Sequence, residues 1–486
     1  MIPLFALFLV TSQDAQASST LELPPLFGDH MVLQCDRGAA LWGKAPPGAA
    51  IGIELTRPLC EDRIEATTQA GSDGSWRVVL RQGSGGPWSM RVWAHGSPPV
   101  AFEDVWFGDV WICAGQSNME WPLAESTNAQ AEIAAADRPL VRLFQVPHRT
   151  GAEPRSQAQG SWTLCTPETA RAFSAVGYHF GRALSEHLDR LRLPAHVEHG
   201  HEHPVGLIQA AWGGTPAEAW TERSFLDGVA DFAPILERTP PHEAWAPSAL
   251  FNGMIAQLTP LSVTGAIWYQ GESNADRAEQ YRTLFPAMIR SWRKAFGRED
   301  LPFLFVQLAN FMERKADPGE SEWAELREAQ AMTLALPHTG MAVAIDIGAA
   351  DDIHPRDKRT VGERLALEAR RVAHGEDVAS RGPTYRSMRI EGGTVHVELE
   401  HAQGLKTTDG GLPLGFALAG EDRVFHWADA SLGEGRVVLR CPEVSRPLAV
   451  RFAWADNPAH NLVNALGLPA VPFRSDDWPG LTAGRR

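Results

Sequence analysis

Ser117 stands in the turn Gly115-Gln116-Ser117-Asn118-Met119, directly after the apolar run Val110–Ala114. A run of that kind reads as a buried strand, and a tight turn at its end exposes a hydroxyl at the rim of a sheet. The chemistry this allows is acyl transfer, in which a serine attacks a carbonyl while an imidazole takes its proton. The pentapeptide differs from the Gly-x-Ser-x-Gly elbow of α/β-hydrolases, since Met119 occupies the second glycine position. Gly and Ser are common turn residues, so the motif alone carries little weight. Three further polar clusters add to it: Trp212-Gly213-Gly214-Thr215, Tyr269-Gln270-Gly271-Glu272-Ser273-Asn274 and Asp351-Asp352-Ile353-His354-Pro355. Each follows an apolar run of strand type. Open α/β sheets bind ligands at the carboxyl ends of their strands, so the four clusters are expected to meet at one site.

Within that site His354 is the candidate base. Asp351, three residues earlier, can fold back onto Nδ1–H and leave Nε2 for Ser117. The plain alternative for Asp351 or Asp352 is to cap the following helix. Glu272 is a second candidate acid, its alternative role being a buried carboxylate that ties loops together. A carboxylate beside His354 is expected to raise the imidazole above its ordinary value of about 6.5. An oxyanion hole would draw on the Ser117 N–H, an N–H of Gly213 or Gly214, and the side-chain amide of Gln270. The two glycines would equally suit a plain tight loop. Trp121, Trp212 and Asn274 are the candidates for substrate contact, since indoles stack on sugar rings. Most of the 17 tryptophans, Trp220 and Trp268 included, suit core or wall positions.

The elements that must position these residues are legible in outline. Between about 105 and 384, strand-type runs (Val110–Ala114, Val205–Ala210, Gly265–Tyr269, Phe303–Leu308, Met341–Ile345) alternate with helical patterns. One helical stripe runs through Tyr281, Leu284, Phe285, Met288, Ile289, Trp292 and Phe296, with Pro286 expected to kink it; another spans roughly Asp357 to His374. This predicts a three-layer α/β/α domain around a doubly wound parallel sheet. Residues 18–104 hold short β runs separated by Gly, Pro and Asp-Gly turns, as in a small antiparallel sandwich. Residues 385–486 return to β runs and predict a C-terminal β domain, open to sharing a sheet with the first.

The 486 residues carry 44% hydrophobic residues and a formal net charge of −15. The charge argues against nucleic acid as a partner and disfavours acidic polysaccharides, leaving neutral or weakly acidic substrates. The start, Met1 to Val10 followed by Ala15-Gln16-Ala17, has the apolar core and small-residue site of a signal peptide over 1–17, without its basic region. Export to the periplasm or the exterior is the expectation. No later run approaches the ~20 apolar residues of a membrane span. The five cysteines contain no Cys-x-x-Cys pair, and Cys113 reads as a core residue; a Cys35–Cys60 bridge is left open. His196, His199, His201 and His203 resemble a metal cluster but lie in a polar connection, and no metal is expected there.

Taken together, these clusters resemble the sialate O-acetylesterase family of carbohydrate esterases, within the SGNH-hydrolase superfamily. The likeness is carried by Gly108-Asp109-Val110-Trp111, Gln116 to Pro122, Trp212 to Thr215, Trp268 to Asn274 and Ile353 to Lys358. It extends to His30-Met31-Val32-Leu33-Gln34, to Gly467-Leu468-Pro469-Ala470 and to Pro472-Phe473-Arg474. The resemblance implies an SGNH-type α/β/α domain with appended β domains, cleaving acetyl esters from sugar hydroxyls without metal or other cofactor. It implies Ser117 as nucleophile and His354 as base, with either the aspartate before the histidine or Glu272 as acid. It leaves the sugar open among sialic acid, xylan and xyloglucan. Two departures stand out: Cys35 replaces the arginine often found after Val-Leu-Gln, and the His-rich connection before Val205 is longer than usual. The rival expectations are a non-catalytic carbohydrate-binding protein and a lipase-like esterase, although no long apolar lid segment is present.

Overall fold

The computed structural model describes residues 20–57, 61–191, 202–433 and 435–486. The expected signal peptide at 1–17, the histidines 196, 199 and 201, and the Cys60 half of a Cys35–Cys60 bridge lie outside those residues.

Seven strands build the central sheet: β1 Val100–Gly115, β2 Arg138–Gln145, β3 Trp162–Cys165, β4 Val205–Ala211, β5 Gly265–Tyr269, β6 Phe303–Gln307 and β7 Thr339–Val343. Their order is β7-β6-β5-β1-β4-β2-β3. All neighbours are parallel except the antiparallel edge pair β2–β3. Strands β4 to β7 are buried along their whole length, as sheets covered on both faces require.

Helices α1 Ala175–Leu191, α2 Ala278–Ala295, α3 Glu322–Met332 and α4 Lys358–Val372 supply the cover. Alternation along β6 separates the two faces. Phe303 and Phe305 pack on Phe285 of α2, while Leu304 points to the side of Gly340 and Glu368 of α4. Helix α2 runs through Pro286 without a break in its assignment.

The expected boundary at 104/105 falls inside a single strand. The first part of β1 pairs antiparallel with Gly85–Ala94, which continues to Ala50–Thr56 and Arg63–Gln69. Val32–Gln34 lies parallel to β1 at Trp106–Gly108. The N-terminal β unit and the central sheet are therefore one hydrogen-bonded system of 11 strands. Ala39–Lys44 and Ser75–Leu80 form a separate ribbon beside it. Composition changes at 105 because helices begin there, not because the strand ends.

Among the described residues the C-terminal part forms two four-stranded antiparallel sheets and a small pair, with no strand shared with the N-terminal unit. A buried arginine is one of the groups that dock them onto the central domain, beside pairs such as Arg474–Glu328 and Ser321–Asp456. Arg327 of α3 donates to the carbonyls of Leu308 and Ala309 after β6, and to those of Ala455 and Asp456. Four acceptors around a fully buried guanidinium satisfy most of its donors, which is what makes its burial tolerable.

Candidate active site

Register places the loops. Gly115, the last residue of β1, pairs with Ala211 of β4 on one side and Tyr269 of β5 on the other. The Ser117, Trp212 and Gln270 loops thus leave the sheet at one level, where the chain order switches sides. Gly115 has φ 136°, and a Cβ there would collide with the Tyr269 carbonyl oxygen, so the turn needs glycine. Ser117 opens a four-residue helix, Ser117–Glu120, and as its first residue has no intrahelical acceptor for its N–H.

His354 sits ahead of α4, and its Nε2 lies 2.9 Å from Ser117 Oγ. The acid beside it is Asp352 and not the expected Asp351. Asp352 Oδ1 is 3.4 Å from Nδ1 and accepts the backbone N–H of His354 at 2.9 Å, while Asp351 is exposed. The reason is local: an aspartate two residues before the histidine closes a short side-chain turn onto its backbone, which brings carboxylate and ring together. The capping role falls to neither acid, since Asp357 accepts from Thr360 N–H at 3.0 Å.

His354 titrates below its ordinary value, opposite to the expectation from an adjacent carboxylate. Burial is the first cause and the ammonium of Lys358 the second; together they outweigh Asp352. Trp121 is the visible source of burial, its ring stacked on the imidazole at 4.9 Å and 22°. Trp121 therefore contacts the base through one ring face and is partly exposed elsewhere.

Glu272 makes no ion pair with His354 among the described residues. Its Oε1 accepts from Asn118 Nδ2 at 2.6 Å. Asn118 also donates to the Ile353 carbonyl at 3.1 Å and accepts from Lys358 Nζ. One amide thus binds the nucleophile turn, the Glu272 loop and the histidine loop. Burial raises Glu272 and pushes Lys358 down to about 7. Glu272 is the loop-tying carboxylate rather than the orienting acid. Asn118 and Lys358 went unassigned in sequence, although both lie inside the motifs that frame Ser117 and His354.

The expected oxyanion donors divide. Gln270 is fully buried: Nε2 donates to Asn274 Oδ1 at 2.7 Å and to the Thr215 carbonyl at 3.3 Å, and Oε1 accepts from Tyr281. Asn274 is equally enclosed; its Oδ1 also accepts from Ala217 N–H and its Nδ2 donates to Glu218. Neither Gln270 as an oxyanion donor nor Asn274 as a substrate contact is supported, because buried amides are spent on one another. Gly213 comes close, its Cβ position 3.3 Å from Ser117 Cβ. Its N–H, however, donates to Glu120 Oε2 at 2.7 Å. Glu120 Oε1 in turn meets His148 Nε2 at 2.8 Å, and His148 stacks on Trp212 at 4.3 Å. Gly214, with φ 71°, has open space around its Cβ position.

Two cavities flank these loops. One of about 330 Å³ is lined by Trp212, Gly213, Thr215, His242 and Trp245. The other, about 520 Å³, is bordered by Trp245, Glu272, Ser273, Arg238, Lys315 and Trp323. Trp245 belongs to both walls. It lies in a polar connection without a strand-end signature, which hid it from the sequence reading. Cations in the larger wall are matched by acids: Lys315 pairs with Asp456 at 3.0 Å, and Arg238 and Arg277 share the buried Glu218.

Known proteins line up along the whole of this architecture. The family described as "Carbohydrate esterase, sialic acid-specific acetylesterase" matches residues 107–371. A carbohydrate acetylesterase from Xanthomonas citri is similar in structure, with a TM-score of 0.84 and 40% identity over 94% of this chain and 100% of that one. The sialate O-acetylesterase of Mus musculus is 30% identical over 92% of each chain. The Homo sapiens protein of that name is 29% identical over 97% of this chain and 96% of its own.

Proposed function

The chain belongs to the sialic acid-specific acetylesterase family of carbohydrate esterases and is a hydrolase of acetyl esters on sugars; within that activity we propose a covalent acetyl-Ser117 intermediate. The observation that carries the proposal is the 2.9 Å contact between Ser117 Oγ and His354 Nε2, made between loops fixed at one level of the sheet. His354 Nε2 takes the hydroxyl proton as Oγ attacks the acetyl carbonyl, then returns it to the departing sugar hydroxyl. Water repeats the cycle on the acetyl-serine. Asp352 orients the ring through Nδ1 and offsets the charge the imidazole gains; a contact of 3.4 Å tightens as that charge develops.

The Ser117 N–H is the first oxyanion donor, and Gly213 N–H joins it when Glu120 releases it. Lysine and arginine in the larger cavity wall are already neutralised by acids, and the chain as a whole is acidic. This supports neutral or singly charged acetylated sugars over polyanions. Trp212 and Trp245 are the surfaces on which a sugar ring would stack.

The apolar start and Ala15-Gln16-Ala17 support export; N-terminal sequencing of secreted protein should then begin at Ser18. For the chemistry, hydrolysis of an aryl acetate should vanish in Ser117→Ala, and an organophosphonate should label Ser117. Labelling of a different serine would overturn the assignment. Mass-spectrometric deacetylation of sialic acids, xylan fragments and xyloglucan fragments then ranks the sugars. Preference for long-chain acyl esters over acetyl esters would point to a lipase-like enzyme instead.

A further inference from the structure

About 20 Å back along β1 from Gly115, at ~3.3 Å per residue, a second cluster gathers around Asp109. Its carboxylate has Oδ1 3.3 Å from His203 Nε2 and Oδ2 3.0 Å from His374 Nε2. One ligand atom from each of Cys35, Asp109 and His203 lies within 4.8 Å of the others. The three residues are 2%, 3% and 3% exposed. They come from separate segments: Cys35 follows Val32–Gln34, Asp109 is in β1, His203 ends the connection before β4, and His374 follows α4. We propose that Cys35, Asp109 and His203 bind a zinc ion that staples the N-terminal β unit to the central sheet.

Although the groups crowd together, neither ring nitrogen of His203 nor Asp109 Oδ2 has a hydrogen bond of acceptable geometry among the described residues. A buried imidazole aimed at a carboxylate without bonding it linearly suits two ligands that face a common point. Tetrahedral zinc with bonds of about 2.0–2.3 Å separates its ligand atoms by roughly 3.3–3.8 Å. The Asp109–His203 separation of 3.3 Å already matches that spacing, and the limit of 4.8 Å leaves the thiolate a shift of about an ångström to make.

One thiolate, one imidazole and one carboxylate supply three of the four positions zinc takes, the fourth falling to a water, and favour zinc over calcium or magnesium. His374 Nε2 lies 3.0 Å from the second carboxylate oxygen, where it would form the outer histidine–carboxylate contact common around metals. On binding, the ion displaces the Cys35 thiol proton and takes His203 as neutral imidazole. The fold brings Cys35 and Asp109 to His203 from two segments distant in sequence. The distance of this cluster from Ser117 makes the ion structural, so it leaves the ester chemistry metal-independent.

The test uses the full chain produced with zinc supplied. Elemental analysis after gel filtration should find about one zinc per chain. Stripping with a chelator should lower Tm, and stoichiometric Zn²⁺ should restore it. Co²⁺ added to stripped protein should give a thiolate-to-cobalt absorption band that Cys35→Ser lacks. His203→Ala should lose the zinc. Cys35→Ser should keep wild-type kcat/KM on an aryl acetate per folded molecule at 25 °C. The proposal fails if purified protein is zinc-free and its Tm is unmoved by Zn²⁺ or Co²⁺. It fails equally if Cys35→Ser retains full zinc, or if peptide mapping finds Cys35 disulfide-bonded to Cys60.

Discussion

Strand β1 carries Asp109 near its middle and leads into Ser117 at its end, and at both places a histidine from a distant segment meets a polar partner. At the Ser117 end the histidine is half-buried, a cavity lies alongside, and one ring face is held by Trp121. At the Asp109 end the carboxylate and His203 are sealed from solvent. The difference teaches that aspartate and histidine do not define a catalytic pair by themselves. Access decides what they do: an open pair can exchange protons with a substrate, and a closed one can only hold something in place.

The sharpest way to break the comparison is to exchange the consequences of mutation. Ser117→Ala should lower kcat/KM on an aryl acetate by a factor on the order of 10⁴ or more while Tm stays put. Cys35→Ser should do the reverse, lowering Tm and sparing the activity of folded molecules. Next in size, Asp352→Asn should cost kcat about 10²–10⁴-fold, as when a triad loses its acid. Asp351→Asn, an exposed position, should stay within about twofold of wild type. The opposite ranking would return the role to Asp351.

Asn118→Ala should affect both properties together, because it unties three loops and leaves Glu272 and Lys358 without their shared amide. A loss of about 1–3 kcal/mol in unfolding free energy is expected, with a fall in kcat. A pure kcat effect with unchanged denaturation midpoint would show that the amide acts on substrate instead. The smallest effect concerns pH. Attack needs neutral His354, and the imidazole is held below its ordinary value of about 6.5, so the acidic limb of kcat/KM should have its midpoint below that value. Lys358→Met removes a cation that favours the neutral ring and should move the limb upward. A limb above 6.5 in the wild type would mean that Asp352 outweighs burial.

Much of the fold was legible because its strands are continuous apolar runs: Gly265–Tyr269 was bounded as found, and the last strand lay two residues earlier than read. Helices α1 and α3 were not seen. In α1 the buried face includes His179, Arg182 and Ser185, and in α3 it includes Glu325, Arg327 and Gln330, so the apolar stripe is interrupted. The Ser117–His354 pair was legible from strand-end placement. The choice between Asp351 and Asp352 was not, since it depends on how a short turn closes. Gln270 and Asn274 were misread for a related reason: an amide side chain gives no sign in sequence of whether it faces solvent or another amide.

The unbroken course of Val100–Gly115 has a consequence for how genes of this type can be cut and recombined. A fragment starting at residue 105 would begin in mid-strand and discard the chain that pairs with Trp106–Gly108 and with Phe107. Edges exposed on the strand that leads to the nucleophile turn would then invite pairing with other copies. The N-terminal β unit is therefore not a detachable module to be swapped among esterases. A viable chimera would have to carry its crossover in a connection away from this strand, and libraries built by joining at the compositional boundary should yield aggregated rather than merely slower enzymes.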